Sequence, residues 1–553
     1  MIIRHHIETE RMTHMDNKWW KKAVIYQIYP KSFQDTNGDG IGDIPGIIRR
    51  LPYLENLGID AIWLSPVYCS PQEDNGYDVS DYQDIDPIFG SLADMDCLIA
   101  EAKKHHIRIM MDLVLNHTSD EHFWFQEALK GKDNPYHDYY IWRDGVEGCP
   151  PNDLTSGLGG SIWQWVPEFS QYYMHQFSVK QPDLNWQNPK VREELYHMIQ
   201  WWIDRGVEGF RLDVIDHIGK VPDTKVMVNG PDLHTFIREL SQNTFGKAGL
   251  VSVGEAWSAT PENTLLYTNP NGSELSMIFY FEHIVLDQQP DGTKWDLMPL
   301  PLLRLKETIN KWQTKLHGKG WSGLFWDNHD LPRIVSRWGN DSDAYRNVSA
   351  KMLATLLHCL EGTPYIYQGE ELGMTNIPLS LEQYDDLETL TAYKKLVAAG
   401  RSEQEILASL YAKSRENART PMQWDDGPQA GFTTGTPWMP LNPNYTKINA
   451  YSQIYDADSV FSYYKKLIRL RKEIPVIADG SFHMLLPDDS DIFAYQRIND
   501  TQTLTVICNF YEKEREIDTA SLLPESSTLC LSNYSEIENI NILRPYEARI
   551  YLK

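Results

Sequence analysis

The sequence is poor in cysteine and has no long apolar stretch, and both absences exclude classes of protein. Six cysteines are scattered over 553 residues without a Cys-x-x-Cys pair, so we expect free thiols rather than disulfides or structural zinc. No run of about 18 apolar residues occurs, and we expect no membrane-crossing helix. The N-terminal residues lack the apolar core of a signal peptide. We therefore expect a cytoplasmic protein with a loose tail over residues 1–18.

Basic residues are also in deficit. The chain has 51 Lys and Arg residues against 77 Asp and Glu residues, which gives a formal net charge of −26. Such a chain repels nucleic acids and anionic membranes, so neither is an expected partner. We expect a monomer that acts on a neutral small molecule.

Short apolar runs alternate with segments of helical period over most of the chain. Eight runs have the composition of parallel strands that are covered on both faces: 23–33, 61–68, 107–117, 209–214, 250–257, 276–283, 323–330 and 362–368. Helical periods lie between them, for example over 94–107, with an acidic cap at Asp94, and over 188–206, with Asn188 as the cap. This alternation predicts a (β/α)8 barrel, with an open doubly wound sheet as the alternative.

Two stretches break the alternation. Residues 118–181 are aromatic, polar and loop-rich, and we expect an inserted domain after the third strand. From residue 479 onward the pattern changes to short β-like pieces, which predicts an all-β C-terminal domain, a sandwich, over 479–553. The barrel is then expected in two parts, 19–117 and 182–478.

Polar or ionisable residues end four of the predicted strands, at the face where a barrel places its active site. They are Asn116 and His117, Arg211 and Asp213, Glu255, and His329 and Asp330. Charged groups at the end of an apolar strand are costly to bury unless they are paired. One such strand would fit a structural ion pair, but four of them predict an active site.

Two carboxylates in this set suit different chemical roles. Arg211 lies on the same face of the strand as Asp213, so we expect it to keep Asp213 ionised as a nucleophile. A buried structural salt bridge is the alternative. Glu255, close to Trp257, is expected to stay protonated and to act as a general acid, and a helix cap is the alternative. Glycoside hydrolysis requires one charged and one neutral carboxyl group of this kind.

A third carboxylate, Asp330, lies beside His329. Together with His117 these groups offer hydrogen bonds to sugar hydroxyls that strengthen as charge develops in the transition state. A metal site is the rival interpretation, but no H-x-x-H or H-E-x-x-H spacing supports catalytic zinc.

A loop after the first strand, DTNGDGIGD (35–43), carries alternating oxygen-bearing side chains, as in the first half of a calcium loop. The position of the closing glutamate of an EF-hand is occupied by Gly46, so the loop is not an EF-hand. A turn closed by its own side chains without metal is the alternative. We expect a structural Ca²⁺ ion held by Asp35, Asn37, Asp39, Asp43 and the carbonyl group of Ile41.

The segments DLVLNH, GFRLDV, VGEAW and FWDNHD resemble the four signature regions of the α-amylase superfamily of glycoside hydrolases. QPDLN (181–185) and GTPYIYQGEE (362–371) resemble its accessory regions, and the similarity runs from about Trp19 to the C-terminus. The resemblance implies a retaining double displacement with Asp213 as nucleophile, Glu255 as acid/base and Asp330 as transition-state stabiliser. It also implies that Arg211, His117 and His329 bind substrate.

Within the superfamily the chain is most similar to oligo-1,6-glucosidases and dextran glucosidases, which implies exo action on α-1,6 bonds of isomalto-oligosaccharides or dextran. The following roles are implied by the resemblance. Val214 would favour α-1,6 bonds, Trp257 and Lys294 would contact the leaving glucose, and Tyr77, Asp78 and Arg419 would hold the terminal glucose. The calcium loop matches in full. Asp327 departs from the asparagine that many relatives have, and it is expected to shift pKa values near Asp330.

Three other functions fit parts of the pattern. A trehalose-6-phosphate hydrolase has a similar chain layout but needs a basic pocket, and the sequence shows no obvious basic cluster. A transglycosylating sucrose isomerase is another relative, since water and sugar compete for the same intermediate. The barrel subunit of an amino-acid transporter keeps the fold without the chemistry, but it would have a membrane span and a broken carboxylate set.

Overall fold

Eight short parallel strands form the central sheet of the computed structural model, which describes residues 18–157 and 159–553. They are β1 (Ile25–Ile28), β2 (Ala61–Leu64), β3 (Arg108–Val114), β4 (Gly209–Asp213), β5 (Val251–Glu255), β6 (Met277–Phe279), β7 (Gly323–Leu324) and β8 (Thr363–Tyr367). Their order is β6-β5-β4-β3-β2-β1-β8-β7, and a parallel bridge between Ile278 and Ser322 joins the two ends. The predicted barrel is therefore confirmed, and the open sheet is excluded.

Eight helices connect the strands and cover the barrel: α1 (Ile44–Leu57), α2 (Leu92–Lys104), α3 (Pro189–Asp204), α4 (Leu233–Asn243), α5 (Pro261–Tyr267), α6 (Leu302–Leu316), α7 (Arg346–His358) and α8 (Val460–Glu473). Helix α3 begins as predicted, because the Asn188 side chain accepts the amide hydrogen of Lys190. Helix α2 begins earlier than predicted. Ser91 caps it, and Asp94 bonds back to the Ser91 amide in a capping box, so the acidic cap expected at Asp94 is wrong.

Large side chains fill the inside of the barrel. Trp63, Met110, Phe279 and Tyr365 are buried there, and the rings of Phe279 and Tyr365 meet edge to face with centroids 4.7 Å apart. A barrel interior packed in this way is a solid floor rather than a channel. The polar side chains at the carboxyl ends of the strands therefore stand on a rigid support.

The inserted segment between β3 and α3 forms a small antiparallel sheet. Its strands are Trp142–Arg143, Trp163–Val166 and Gln171–Met174, with the last in the middle. A bridge between His117 and Asp183 ties the end of this segment to the end of β3. The insert therefore lies beside the carboxyl ends of the barrel strands.

After α8 the chain forms a five-stranded antiparallel sheet in the order β9-β10-β11-β13-β12. The strands are β9 (Ser481–Leu485), β10 (Ile492–Ile498), β11 (Thr503–Asn509), β12 (Thr528–Ser532) and β13 (Ala548–Leu552). The expected C-terminal all-β domain is present, while the domain boundaries stay predictions. The expected tail lies, apart from Lys18, outside the described residues. Over residues 18–157 and 159–553, no helix is long and apolar enough to span a membrane.

Candidate active site

One cavity at the carboxyl ends of the barrel strands gathers most of the predicted site residues. It encloses about 480 Å³, which is within the range of small-molecule sites. Eight of the predicted residues line it: Tyr77, His117, Asp213, Val214, Glu255, Trp257, Lys294 and Asp330. Arg211 and His329 lie behind this lining and contact its carboxylates.

Arg211 lies among three carboxylates. Its Nη1 donates to Asp112 Oδ1 and to Asp213 Oδ1, both at 2.7 Å, and its Nη2 donates to Glu255 Oε2. All four side chains are almost fully buried. Asp112 was not predicted, because it lies inside an apolar strand rather than at its end. One cation therefore serves three acids in a poorly solvated place.

This sharing changes the charge expected on the nucleophile. Burial raises the pKa of Asp213 well above its usual range; Arg211 opposes the rise, and the charges on Glu255 and Asp112 add to it. Burial also raises the pKa of Asp112, to about 6. Arg211 therefore favours the ionised form of Asp213, as expected, but its charge is divided among three acids and does not offset burial. Asp213 must be ionised to act as a nucleophile.

Glu255 accepts hydrogen bonds at both oxygens. The Trp257 indole donates to Oε1 at 2.9 Å, and the Val214 amide lies 3.4 Å from Oε2, beside Arg211. Trp257 stacks on Phe281 with ring centroids 4.0 Å apart and remains 47% exposed. The predicted place of Glu255 beside an indole is confirmed, and its protonation stays a prediction.

Asp330 is held ionised by its neighbours. Burial alone would raise the pKa of Asp330, but His329, Arg415 and Arg419 together lower it well below its usual range. His329 Nε2 lies 3.2 Å from Asp330 Oδ2, and the Gln27 amide lies 2.8 Å from Nδ1. Burial lowers the pKa of His329 to about 3. A neutral ring that accepts from Gln27 therefore presents its Nε2–H to Asp330.

His117 is also a neutral hydrogen-bonding group. Its Nε2 lies 3.1 Å from the Tyr77 carbonyl oxygen, and its Nδ1 lies 3.1 Å from the Asn116 amide nitrogen. Burial lowers the pKa of His117 to about 4. The Tyr77 ring stacks on His329 with centroids 5.3 Å apart, and its hydroxyl donates to Asp112 at 3.0 Å. These contacts fix the aromatic floor of the cavity.

The structure does not place Asp78 in the lining of the cavity. This residue is fully buried, and its carboxylate accepts from the Ser70 hydroxyl at 3.0 Å and from the Glu73 and Asp74 amides at 2.8 and 3.0 Å. Those bonds anchor the loop that precedes it. Asp74, four residues earlier in QEDNGYD, lines the cavity instead.

Arg419 is likewise outside the lining of the cavity. Its guanidinium lies behind Asp330, donating to Asp330 Oδ1 and Asp386 Oδ2 at 3.0 Å each. Arg415, one helical turn earlier, lines the cavity, with Nη1 3.3 Å from Asp330 and Nη2 3.6 Å from Asp74. Each of these two cavity residues lies four positions before the residue that was predicted, and sequence alone did not show which acid and which arginine face inward.

An ion pair adjoins Arg415, since Glu388 Oε2 lies 3.6 Å from Arg415 Nε. Lys294 Nζ is 2.5 Å from Glu388 Oε2, and both residues line the cavity together with Trp257 and Val214. Lys294 therefore takes its predicted place, whereas Glu388 was missed because it comes from a helix, Leu387–Ala398, that carries no family motif. The cavity lining therefore combines the apolar surface of Trp257 and Val214 with this ion pair.

The predicted calcium loop, residues 35–43, is closed by hydrogen bonds of its own side chains. Asp35 Oδ1 accepts the amides of Asn37 and Gly38, and Asp43 Oδ1 accepts the amide of Gly46. Asp39 Oδ1 accepts the Ile41 amide at 2.8 Å. Among residues 18–157 and 159–553, no three His, Cys, Asp or Glu side chains converge on a point that suits a metal ion. The donors are nonetheless all oxygens with remaining lone pairs, which is the chemistry that Ca²⁺ takes.

Asp327 faces away from Asp330. Its Oδ2 accepts the Ile334 amide at 3.0 Å, and its carboxyl group pairs with that of Glu370. The Tyr464 hydroxyl donates to the other side of Glu370 at 2.7 Å. Burial raises the pKa of both Asp327 and Glu370, the latter well above its usual range. Asp327 therefore belongs to a buried carboxyl pair with Glu370, whose raised pKa values favour a retained proton.

Replacing Asp327 with asparagine is expected to flatten the pH dependence of folding stability. Both carboxyls have raised pKa values in the folded chain, so the folded state keeps protons that the unfolded chain releases, and stability falls as pH rises. Denaturant unfolding at about pH 5 and about pH 8 should show a loss smaller by about 1–2 kcal/mol in D327N. Asp223→Asn, at an exposed position, is the control. Parallel pH curves for D327N and the parent would contradict the retained proton.

Comparison with known proteins identifies the family to which the chain belongs. The family model for the α-amylase catalytic domain matches residues 27–480. The chain is 52% identical to an oligo-1,6-glucosidase of Halalkalibacterium halodurans and 51% identical to a glucan 1,6-alpha-glucosidase of Streptococcus pneumoniae, in both cases over 97% of this chain and 99% of the relative. A crystal structure of trehalose-6-phosphate hydrolase from Bacillus licheniformis superposes with a TM-score of 0.92 at 47% identity, over 97% of this chain and 99% of that one. The chain is therefore a glycoside hydrolase of the α-amylase family.

Proposed function

We propose that this enzyme is an exo-acting, retaining α-glucosidase that releases glucose from the non-reducing end of α-1,6-linked oligosaccharides. The observation that carries the proposal is the ion cluster around Arg415 in the cavity that holds Asp213 and Glu255. Arg415 bridges Asp74 and Asp330, within 3.6 and 3.3 Å. Such a bridge suits the end of a chain and blocks its continuation, which supports exo action.

The carboxylates supply the chemistry in two steps. Asp213 attacks the anomeric carbon while protonated Glu255 donates to the glycosidic oxygen, so that a covalent glucosyl ester forms and the leaving sugar departs neutral. Glu255 then takes a proton from water, which attacks the same carbon and frees Asp213. A guanidinium shared by both carboxyls holds them close together, which favours the spacing of about 5 Å typical of retaining enzymes.

Asp330 acts in both steps as an ionised neighbour of the reacting ring. Because His329 and Arg415 keep it charged, its oxygens accept hydrogen bonds from sugar hydroxyls whose acidity rises as positive charge develops. His117, which lines the same cavity as a neutral ring, adds no charge beside the reacting sugar. These groups therefore favour the transition state over the ground state.

The α-1,6 preference rests on the residues that we propose to contact the leaving glucose, and on the relatives. Trp257 and Val214 present apolar surface near Glu255. The Lys294–Glu388 pair in the same cavity supplies a donor and an acceptor for hydroxyl groups. Relatives at 52% and 51% identity are named for 1,6-glucosidase activity.

A trehalose-6-phosphate hydrolase is the second candidate, since a solved relative carries that name. The cavity lining does contain Lys294, Arg337 and Lys413. Each of them is in an ion pair, Lys294 with Glu388 at 2.5 Å, and Arg337 and Lys413 with Asp287 at 2.7 and 2.6 Å. Cations already paired are poor phosphate ligands, and this supports a neutral substrate.

The experiment that tests the proposal is initial-rate product analysis on isomaltose, maltose, sucrose and trehalose 6-phosphate. Rapid release of glucose from isomaltose, with little from maltose, is the expected result. Conversion of sucrose to an isomer would favour the transglycosylating alternative. Preferential cleavage of trehalose 6-phosphate would overturn the roles proposed for Trp257, Val214 and Lys294 at the leaving group, but not those of the three carboxylates.

We also propose that residues 35–43 hold a structural Ca²⁺ ion. Because hydrogen bonds from its own backbone amides already close the loop, the ion adds stability without being required for folding. Saturating Ca²⁺ is expected to raise the melting temperature by about 2–6 °C, and chelation should reverse it. Asp39→Ala, at an exposed position of the loop, should abolish the shift. A melting temperature that does not respond to Ca²⁺ in the parent enzyme would contradict the site.

The cysteines bear on where the enzyme works. All six are free thiols, as expected. Unpaired cysteines in this number are typical of a reducing compartment, and on that basis we propose a cytoplasmic location. We also propose a monomer, which sedimentation equilibrium would test directly.

A further inference from the structure

Asp216 is a buried carboxylate that the mechanism above does not use. It lies three residues after Asp213, in the turn that follows β4, and it has no exposed surface. Its Oδ2 accepts from the Ser258 amide at 3.1 Å and from the Ser258 hydroxyl. Ser258 lies in the turn that follows β5, so one side chain joins the two turns that carry the nucleophile and the acid.

Asn229 holds the same serine from the other side. Its side-chain amide donates to Ser258 Oγ at 2.8 Å, and its backbone amide donates to the Asp216 carbonyl oxygen at 3.0 Å. The Tyr267 hydroxyl in turn donates to Asn229 Oδ1 at 2.8 Å. Ser258 is therefore clamped between two side chains, one of which is anchored to α5.

The clamp lies next to Trp257, whose position is only partly fixed by burial and by its stack on Phe281. Trp257 precedes Ser258 and is 47% exposed, so burial constrains only part of its ring. Its indole N–H nevertheless reaches Glu255 Oε1 at 2.9 Å. Since that bond depends on the backbone of the 257–258 turn, the grip on Ser258 sets the position of the indole against the acid.

The other end of the clamp is strained. Val214 adopts a left-handed backbone conformation, φ 36° and ψ 46°, which is rare for a β-branched residue. Strain of this kind persists only where neighbouring bonds impose it, and it concentrates at functional sites. Asp216, two residues later, supplies such bonds. They keep the Val214 amide 3.4 Å from Glu255 Oε2.

The carboxylate itself is poorly satisfied. Among residues 18–157 and 159–553, Asp216 Oδ1 has no hydrogen-bond partner, and His217 Nε2 lies 3.7 Å from it. A buried carboxyl group with an unbonded oxygen contributes little to the stability of the fold. Its presence at this point indicates a role in the site.

We propose that Asp216 is a positioning residue for acid catalysis, holding the Trp257–Ser258 turn so that Trp257 and Val214 fix the Glu255 carboxyl group. This inference rests on the proposed glucosidase activity. It assigns Asp216 no contact with substrate. Loss of the clamp therefore affects the step that needs the acid and spares the step that does not.

The test compares two substrates that differ in their need for an acid. Asp216→Ala is expected to lower kcat/KM for isomaltose about 30-fold, because its leaving alkoxide must be protonated. For 4-nitrophenyl α-D-glucopyranoside, whose leaving group departs without a proton, the loss should stay within about threefold. Asp216→Asn keeps an oxygen that accepts from Ser258, and it should recover most of the isomaltose activity. Asp223→Ala, an exposed acid of the same loop, is the matched control.

A purely structural role would lower both substrates equally, and that result would overturn the inference, as would an Asp216→Ala enzyme equal to the parent on both. If Asp216→Ala does not fold, Ser258→Ala should show the same selective loss, about fivefold on isomaltose. Equal losses there would also overturn it. The parent enzyme is measured first, and failure to cleave isomaltose would count against the proposed function rather than against the clamp.

Discussion

Replacing Asp213 with asparagine is expected to lower kcat for isomaltose by about 10⁴-fold or more, with little change in melting temperature. The amide cannot form the glucosyl ester, so the first step has no nucleophile. Stability should hold because the change removes one of three carboxylates that compete for Arg211. Stopped assays with purified enzyme, together with thermal unfolding, measure both quantities.

Glu255→Gln serves as the partner variant. It is expected to lower kcat for isomaltose by about 10³-fold, and far less for the formation of the glucosyl enzyme from an aryl glucoside. Added azide, which needs no general base, should restore turnover of the aryl substrate and yield a glucosyl azide. Near-normal isomaltose activity in either variant would contradict the assignment of these two carboxylates.

Replacing Asp74 with asparagine is expected to lower kcat/KM for isomaltose by about 10²–10³-fold. Asp74 lines the cavity beside Arg415, 3.6 Å from its Nη2, and we propose its carboxylate as an acceptor for a hydroxyl group of the terminal glucose. Burial raises the pKa of Asp74 to about 6, against the opposing charges of Arg415 and Arg419. We therefore also expect kcat/KM to fall as pH drops through about 6, since protonation removes the acceptor.

Asp78→Asn separates the two neighbouring acids. It loosens the loop anchored on Ser70 and on the amides of residues 73 and 74, so we expect a lower melting temperature and less than a tenfold loss of kcat/KM. Asp84→Asn, exposed on a nearby strand, is the control for both variants. A larger activity loss in D78N than in D74N would restore the role that the sequence first suggested for Asp78.

Much of the fold could be predicted because its determinants are local. Each barrel strand is an apolar run, and α3 begins at an Asn-Pro pair whose side chain caps it. The catalytic carboxylates were found because the carboxyl ends of parallel strands meet at one face. These arguments need only the spacing of residues along the chain.

The remaining features depend on contacts between distant segments. Asp74 and Asp78 are equivalent by sequence, and only the folding of the loop around Asp78 decides which one faces the cavity. Asp112 comes from the middle of β3 and shares Arg211 with Asp213, whose pKa burial raises although the sequence suggested a lower value. Glu388 reaches the site from a helix far along the chain.

Hydrolysis of reduced isomaltotriose, followed by proton NMR from the first moments of reaction, tests the central claim most directly. The alditol marks the reducing end, so each product identifies the bond that was cut and the anomer that was released. We predict α-glucose and isomaltitol as the first products, as required by exo action on an α-1,6 bond with retention through Asp213 and Glu255. Initial β-glucose, or isomaltose together with sorbitol, would contradict the account.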